Sequence, residues 1–257
     1  MVSAEDFYDG LAADYDCLFP DWWEAARWHG TVIGRLLADE GVHPPAEVLD
    51  CTCGIGTQAL PLVSMGYVVT GTDISAGAIE RARAEAAARS LPVSLAVTDV
   101  RHVHEKVTRT FDAVISCDNA LPHLLTDEDL DAGLRSIRSC LRPGGLFLAT
   151  IRDYDELSKA RTEGVPISLH GTVGERHASG QVWTWTPEGD RVDIMLFAMV
   201  ESSEGWRTST HGTTCRALRR AELTSALHRN GFSEVRWRTP EQSGYYQPTV
   251  TARACLG

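Results

Sequence analysis

Three aspartates and a pair of glycines stand where a chain can hold a charged, nucleoside-bearing ligand. In "VLDCTCGIGTQ" Gly54, Ile55 and Gly56 follow an apolar run that carries Asp50 at its end; the next apolar run ends in Asp73, and a third, "AVTDV", ends with Asp99 and Val100. Glycines after a strand let the backbone turn tightly and come close to a ligand, and the helix that follows presents its free amides. A dinucleotide site prefers a third glycine three residues after Gly56, where Ala59 stands. Asp50, ahead of the glycines, is poorly placed beside a pyrophosphate and well placed beside an ammonium. Asp73 lies 19 residues after Gly54, close to the spacing at which an acid reaches ribose hydroxyls. Asp99 can accept from an adenine amino group while the backbone of Val100 reads a ring nitrogen. Together the three acids fit S-adenosylmethionine better than a nicotinamide dinucleotide, although Asp50 and Asp99 taken singly also read as turn formers.

The elements that must position these residues are legible as alternation. Strand-like apolar runs at Val48–Cys51, Val68–Thr72, Val93–Val97, Ala113–Cys117 and Leu146–Ile151 are separated by helical patterns. "AGAIERARAEAAARS" is one of these. Another is "TDEDLDAGLRSIRSCLRPGG", with Thr126 as N-cap, acids in the first turn, and Arg142 to Gly145 as its close. Strands alternating with helices imply a parallel sheet with right-handed crossovers. After about Arg152 the pattern changes: "QVWTWTPEGDRVDIMLFAMVE" reads as an antiparallel hairpin turning at "PEGD" and covering the site. The chain then returns with the helix "RRAELTSALHRNG" and two strands, for seven strands in one sheet.

Bulk properties exclude several classes. The chain has 257 residues, with 24 Lys plus Arg against 35 Asp plus Glu, so its net charge of −11 is the wrong sign for gathering nucleic-acid phosphates. No basic segment followed by an apolar one opens the sequence, and no uncharged run approaches the roughly 18 residues of a membrane span. A cytoplasmic protein is expected, with no nucleic-acid or membrane partner. Seven scattered cysteines read as reduced thiols and not as a disulfide framework. Cys51 and Cys53 form only a C-x-C, and His102 and His104 have no acid or cysteine cluster to complete a metal set, so no metal is expected.

The successive segments "VLDCTCGIGTQ", "VTGTDIS", "TDVR", "FDAVISCDNALPHLL" and "LRPGGLFLATIRDYD", covering residues 47–155 in order, resemble the motifs of class I S-adenosylmethionine-dependent methyltransferases. The flanking "YDGLAADYDCLFPDWWEAAR", with "DNALPHLL", "RDYD" and "SGYYQPTV", is similar to the glycine and sarcosine N-methyltransferase group. The resemblance implies an α/β Rossmann-like fold: a seven-stranded, mostly parallel sheet with helices on both faces. It further implies a helical N-terminal lid over 1–45, a cofactor-binding core over 46–152, a β-rich insertion over 153–215 and a C-terminal completion of the sheet over 216–257. It implies methylation of the amine of a small amino-acid-like substrate, S-adenosylhomocysteine as co-product, and a homo-oligomer.

Roles follow from the same resemblance. Tyr15, Trp23, Arg27, Asp50, Cys51, Gly54, Gly56, Asp73, Ile74, Asp99, Val100, Cys117 and Asp118 are expected around the cofactor. Asn119, Arg152, Tyr154, His211, Tyr245 and Tyr246 are expected around the substrate, with Tyr15, Asn119, His123 and Arg152 nearest the chemistry. Methyl transfer from a sulfonium is an in-line displacement, so the protein must mainly aim a lone pair and exclude water. Arg152, at the end of the fifth strand, can grip a substrate carboxylate through two parallel hydrogen bonds, or else pair with Asp153 or Asp155. Asn119 can contact the substrate or cap a turn. His123 is expected to position and not to act as a base. O-methylation of a carboxylate or hydroxyl metabolite, a noncatalytic sensor of the cofactor, and a nicotinamide dehydrogenase are the competing readings.

Overall fold

The computed structural model describes residues 3–255. Strands β1 (Glu47–Asp50), β2 (Val68–Asp73), β3 (Ser94–Val97), β4 (Phe111–Ser116) and β5 (Leu141–Thr150) run parallel; β10 (Phe232–Arg238) and β11 (Thr249–Ala254) complete a seven-stranded sheet in the order β10-β11-β5-β4-β1-β2-β3. β11 is antiparallel to both its neighbours. The strand order reverses between β1 and β4, and ligands of open α/β sheets bind outside the carboxyl ends of the strands at such a point. Asp50 ends β1 there, and Cys117 to Asn119 follow β4 there.

Helices cover both faces: α2 (Trp22–Asp39), α3 (Ala59–Ser64), α4 (Ala76–Ala88), the short α5 (Val103–Lys106), α6 (Asp127–Ser139), α7 (Tyr154–Ala160), α8 (Arg220–Arg229) and the short α9 (Pro240–Ser243), after an outlying α1 (Ala4–Leu11). One side of the core gathers Ile33, Leu36 and Leu37 of α2 with Val48, Val69 and Ile115 of the sheet; the other gathers Leu130, Leu134 and Ile137 of α6 with Phe147 and Leu227. Thr126 caps α6 by accepting from the Asp129 amide, as expected.

Three expectations are corrected. The helical lid over 1–45 is shorter, because α2 buries its apolar face in the sheet core and, of this segment, only α1 with Ser3 before it and the turn at Tyr15–Leu18 line the cavity. The segment Arg142–Gly145 does not close α6 but opens β5, since Leu141 already pairs with Phe111. The insertion is a four-stranded antiparallel sheet, β6 (Gly164–His170), β7 (His177–Trp185), β8 (Arg191–Ser202) and β9 (Gly205–Arg216), of which the expected hairpin is the middle pair. Among the described residues no helix is long and apolar enough to cross a membrane, and no group of three His, Cys, Asp or Glu side chains is placed to hold a metal ion.

Candidate active site

A cavity of about 440 Å³, within the range of small-ligand sites, opens where the strand order reverses. Its floor comes from the turns after β1, β2, β3 and β4, and Ser3, Tyr8 and Tyr15 reach it from the N-terminal segment. Gly54 has φ +52° and nothing within 4 Å of where a Cβ would stand, so its backbone is open to the cavity. Its amide donates to Asp73 Oδ2 at 2.8 Å, and the Ser75 amide donates to Asp73 Oδ1 at 3.0 Å. These bonds fix the carboxylate at the cavity wall; burial raises its pKa and the backbone bonds oppose the rise. Asp50 is fully buried, and although its Oδ1 accepts from the Thr52 amide at 3.3 Å, its Oδ2 has no partner. Burial drives its pKa well above the usual carboxylate range.

At the end of β4 the chain takes two left-handed steps, Asp118 at φ 56° and Asn119 at φ 70°. Non-glycine residues adopt this region at a cost, and Asp and Asn tolerate it best. The turn is held from β5, where Thr150 Oγ1 accepts from the Asp118 amide at 2.8 Å and Thr150 O from the Asn119 amide at 3.1 Å. Asp118 Oδ1 then accepts from the hydroxyls of Tyr245 (2.5 Å) and Tyr246 (2.9 Å), and Oδ2 from Gln58 Nε2 (2.6 Å). His29 Nδ1 lies 2.6 Å from the Tyr245 hydroxyl and 3.8 Å from Asp118 Oδ2.

A family profile described as "Methyltransferase domain" matches residues 48–145. The glycine/sarcosine N-methyltransferase of Halorhodospira halochloris is 26% identical over 151 residues, which are 59% of this chain and 55% of that protein. A ubiquinone biosynthesis O-methyltransferase of Methylobacterium nodulans is 33% identical over 103 residues, 40% of this chain and 39% of that one. Residues 48–145 are thus a methyltransferase domain. The chain spans about half the length of the first of these relatives. The fold extends over nearly the whole chain: the SAM-bound amino pentose methyltransferase CalS10 of Micromonospora echinaspora superposes with a TM-score of 0.73 at 21% identity, covering 94% of this chain and 95% of that one.

The residues of this methyltransferase domain fit the cofactor. Asp50 has a buried, unpartnered oxygen suited to an ammonium, Gly54 an open amide turn, and Asp73 a fixed carboxylate suited to ribose hydroxyls. Gly54 and Asp73 line the cavity, as do Cys51, Ile74, Val100, Cys117 and Asp118, while Asp50 lies buried outside its lining. Burial raises the Cys51 and Cys117 thiols well above their usual range, which makes them inert wall atoms. Gly56 (φ +95°) makes the turn instead of touching the cavity, and a Cβ there would stand 2.7 Å from Leu60.

Several expected roles do not survive the geometry. Asp99 lines the cavity, but both its oxygens bond the Arg101 guanidinium, so it is not a free acceptor for an adenine amino group. Burial raises its pKa, the Arg101 bonds lower it, and the net is a carboxyl below its usual range. Trp23 lies under the Arg89 guanidinium (4.1 Å) and Arg27 is exposed, which takes both away from the cofactor. Tyr154 is fully buried with Trp183, Ile194 and Cys215. Asn119 donates to its hydroxyl at 3.0 Å and accepts from the Arg152 amide at 3.0 Å. The two polar ends of Asn119 are thus spent on joining the ends of β4 and β5, and it positions Arg152 instead of meeting the substrate. His211 packs under α1 against Phe7 and Gly10, with its Nε2 unpartnered.

His123, by contrast, lines the cavity. Its Nε2 lies 3.1 Å from the Tyr8 hydroxyl and its Nδ1 3.3 Å from Thr213 Oγ1, so it ties α1 to β9. Burial, with the Arg152 charge adding, lowers its pKa to about 4, and the ring is neutral near pH 7. Arg152 lies with its guanidinium carbon 4.7 Å from the Trp183 ring centre and bonds Gln181 Oε1 at 3.2 Å. The pairing with Asp153 or Asp155 does not occur: Arg220 takes both carboxylates, at 3.0 and 3.1 Å. Sequence reasoning passed over Tyr8 as a partner of His123, and over His29, Gln58, Gln181 and Trp183 entirely.

Proposed function

We propose that the chain is an S-adenosylmethionine-dependent N-methyltransferase whose acceptor is a small amine that also bears a carboxylate. The observation that carries this reading is Arg152, a half-buried guanidinium at the carboxyl end of β5 with no salt-bridge partner among the described residues. A cation held on an aromatic face, with donors to spare, suits a planar carboxylate. The relatives named glycine/sarcosine N-methyltransferase support the same class.

S-adenosylmethionine, when bound, supplies an activated methyl group. The protein's part is placement. Asp50, Gly54 and Asp73 hold the cofactor; Arg152 holds the acceptor's carboxylate; Tyr8, Tyr15 and His123, which line the cavity, close it against water. No side chain has to form a covalent intermediate.

Mass-spectrometric product analysis with free amino acids, their carboxyl esters and small hydroxy acids tests this. A methyl group gained on nitrogen by the free amino acids and not by the esters is the expected result. Reaction of hydroxy acids alone overturns the amine assignment in favour of O-methylation, the activity in the names of the ubiquinone biosynthesis relatives.

A further inference from the structure

The Asp118 carboxylate is held by neutral donors and has no permanent cation. Tyr245, Tyr246 and Gln58 supply three hydrogen bonds. The nearest titratable base is His29, and burial lowers its pKa, with Asp118 opposing. A carboxylate has about four lone-pair sites, so one on Oδ2 is left over. The side chain is 16% exposed and lines the cavity. Holding it there requires a left-handed backbone at φ 56°, the kind of strain that collects at functional sites.

Two aromatic rings bond this acid and further rings pack on them. The centres of Tyr245 and Tyr246 lie 5.0 Å apart, Trp28 stacks on Tyr245 at 5.7 Å, His29 stands 5.5 Å from Tyr246, and Phe19 links His29 (6.3 Å) to Tyr15 (6.1 Å). Burial is the main cause that raises the Tyr15 and Tyr246 hydroxyls; Asp118 adds to the rise and Arg152 opposes it. Both hydroxyls thus lie within the fields of a negative and a positive group.

We infer that Asp118 is the site for the acceptor's ammonium group, so that Asp118 and Arg152 together select a small zwitterion. This rests on the proposed function and deepens it: Arg152 reads the carboxylate, and Asp118 with its ring of phenols and indole reads the charged nitrogen. Groups facing Asp118 come from α2 (His29), the start of α3 (Gln58), the turn at Tyr15, the C-terminal loop (Tyr245, Tyr246) and, beyond, Asp50 and Cys117. None of these is a fixed cation. Asp118 acts on binding, and the bound ammonium must still lose a proton before its lone pair can attack.

The test is a pair of isosteres that differ only in the nitrogen charge: glycine against propionate, and sarcosine against butyrate. Each is titrated by calorimetry into the full chain saturated with S-adenosylhomocysteine, for wild type and Asp118→Asn. Asparagine tolerates the left-handed turn and keeps the side-chain shape, and a thermal melt checks the fold. The wild type is expected to prefer each amine over its isostere by about tenfold or more, and the variant to lose that preference while its affinity for S-adenosylhomocysteine changes less than about threefold. Tyr245→Phe, which removes one donor and leaves the charge, is expected to keep most of it. A preference retained in Asp118→Asn overturns the assignment. So does a variant that loses S-adenosylhomocysteine binding with the preference intact, since the acid would then serve the cofactor. Propionate and butyrate binding as tightly as the amines in wild type overturns it and leaves the carboxylate reading standing. Binding of neither pair overturns both.

Discussion

At the scale of single residues, the proposed site pairs a half-buried cation, Arg152, with a fully buried acid, Asp50. Arg152→Ala is expected to raise the acceptor KM by about 10- to 100-fold with the cofactor Kd nearly unchanged, the size of a lost charge-assisted bond pair. An unchanged KM removes the arginine from the substrate site. Asp50→Asn is expected to weaken cofactor binding by a similar factor, measured by calorimetry, because Asp50 carries the unpartnered buried oxygen at the end of β1. His123 gives a pH signature. Its folded pKa of about 4 lies below the ordinary 6.5, so between those values the unfolded chain binds the proton and the native one does not. The contribution is fully present above pH 6.5 and is lost as pH falls toward 4, by about 3 kcal/mol in all. Denaturant melts across that window should show His123→Gln with a flatter profile than wild type; parallel profiles contradict the buried neutral ring.

At the scale of elements, the last turn of α1 and the segment after it are latched at two points. Asp9 Oδ1 accepts from Ser75 Oγ (2.5 Å) and the Gly77 amide (2.9 Å) at the start of α4, and Asp14 binds Arg207 and Ser209 of β9. Asp9→Ala is expected to speed proteolytic cleavage between residues 3 and 21 and weaken the cofactor several-fold, at a stability cost of only about 1 kcal/mol. An unchanged cleavage pattern contradicts the latch. The same elements mark how far the sequence can be read. The core strands were legible because each is a short apolar run bounded by turn residues. β9 was not: "GWRTSTHGTTCR" is polar with only two buried residues, and only pairing with β8 makes it a strand. The expected lid over 1–45 failed because an amphipathic helix looks the same whether it covers a ligand or a sheet.

At the scale of the whole molecule, the site is an assembly of distant segments. Asp50, Gly54 and Asp73 were readable from local spacing, since one strand-turn-helix unit carries each. Gln58 and Tyr245 are 187 residues apart, His29 and Tyr245 216 apart, and no local pattern announces such pairs. Asp99 failed for the reverse reason, because a neighbour two residues on, Arg101, occupies it. The turns after four strands of the fold meet at one cavity, so a saturating cofactor should raise the melting temperature of the full chain, by about 2.7 kcal/mol of added stability at a hundredfold excess over Kd. The central claim of the proposal is that Arg152 holds the carboxylate of an amine being methylated. The most direct measurement is kcat/KM for a free amino acid and for its methyl ester in wild type and Arg152→Ala. The account predicts a strong preference for the free acid in the wild type that collapses in the variant; a preference that survives the substitution contradicts it.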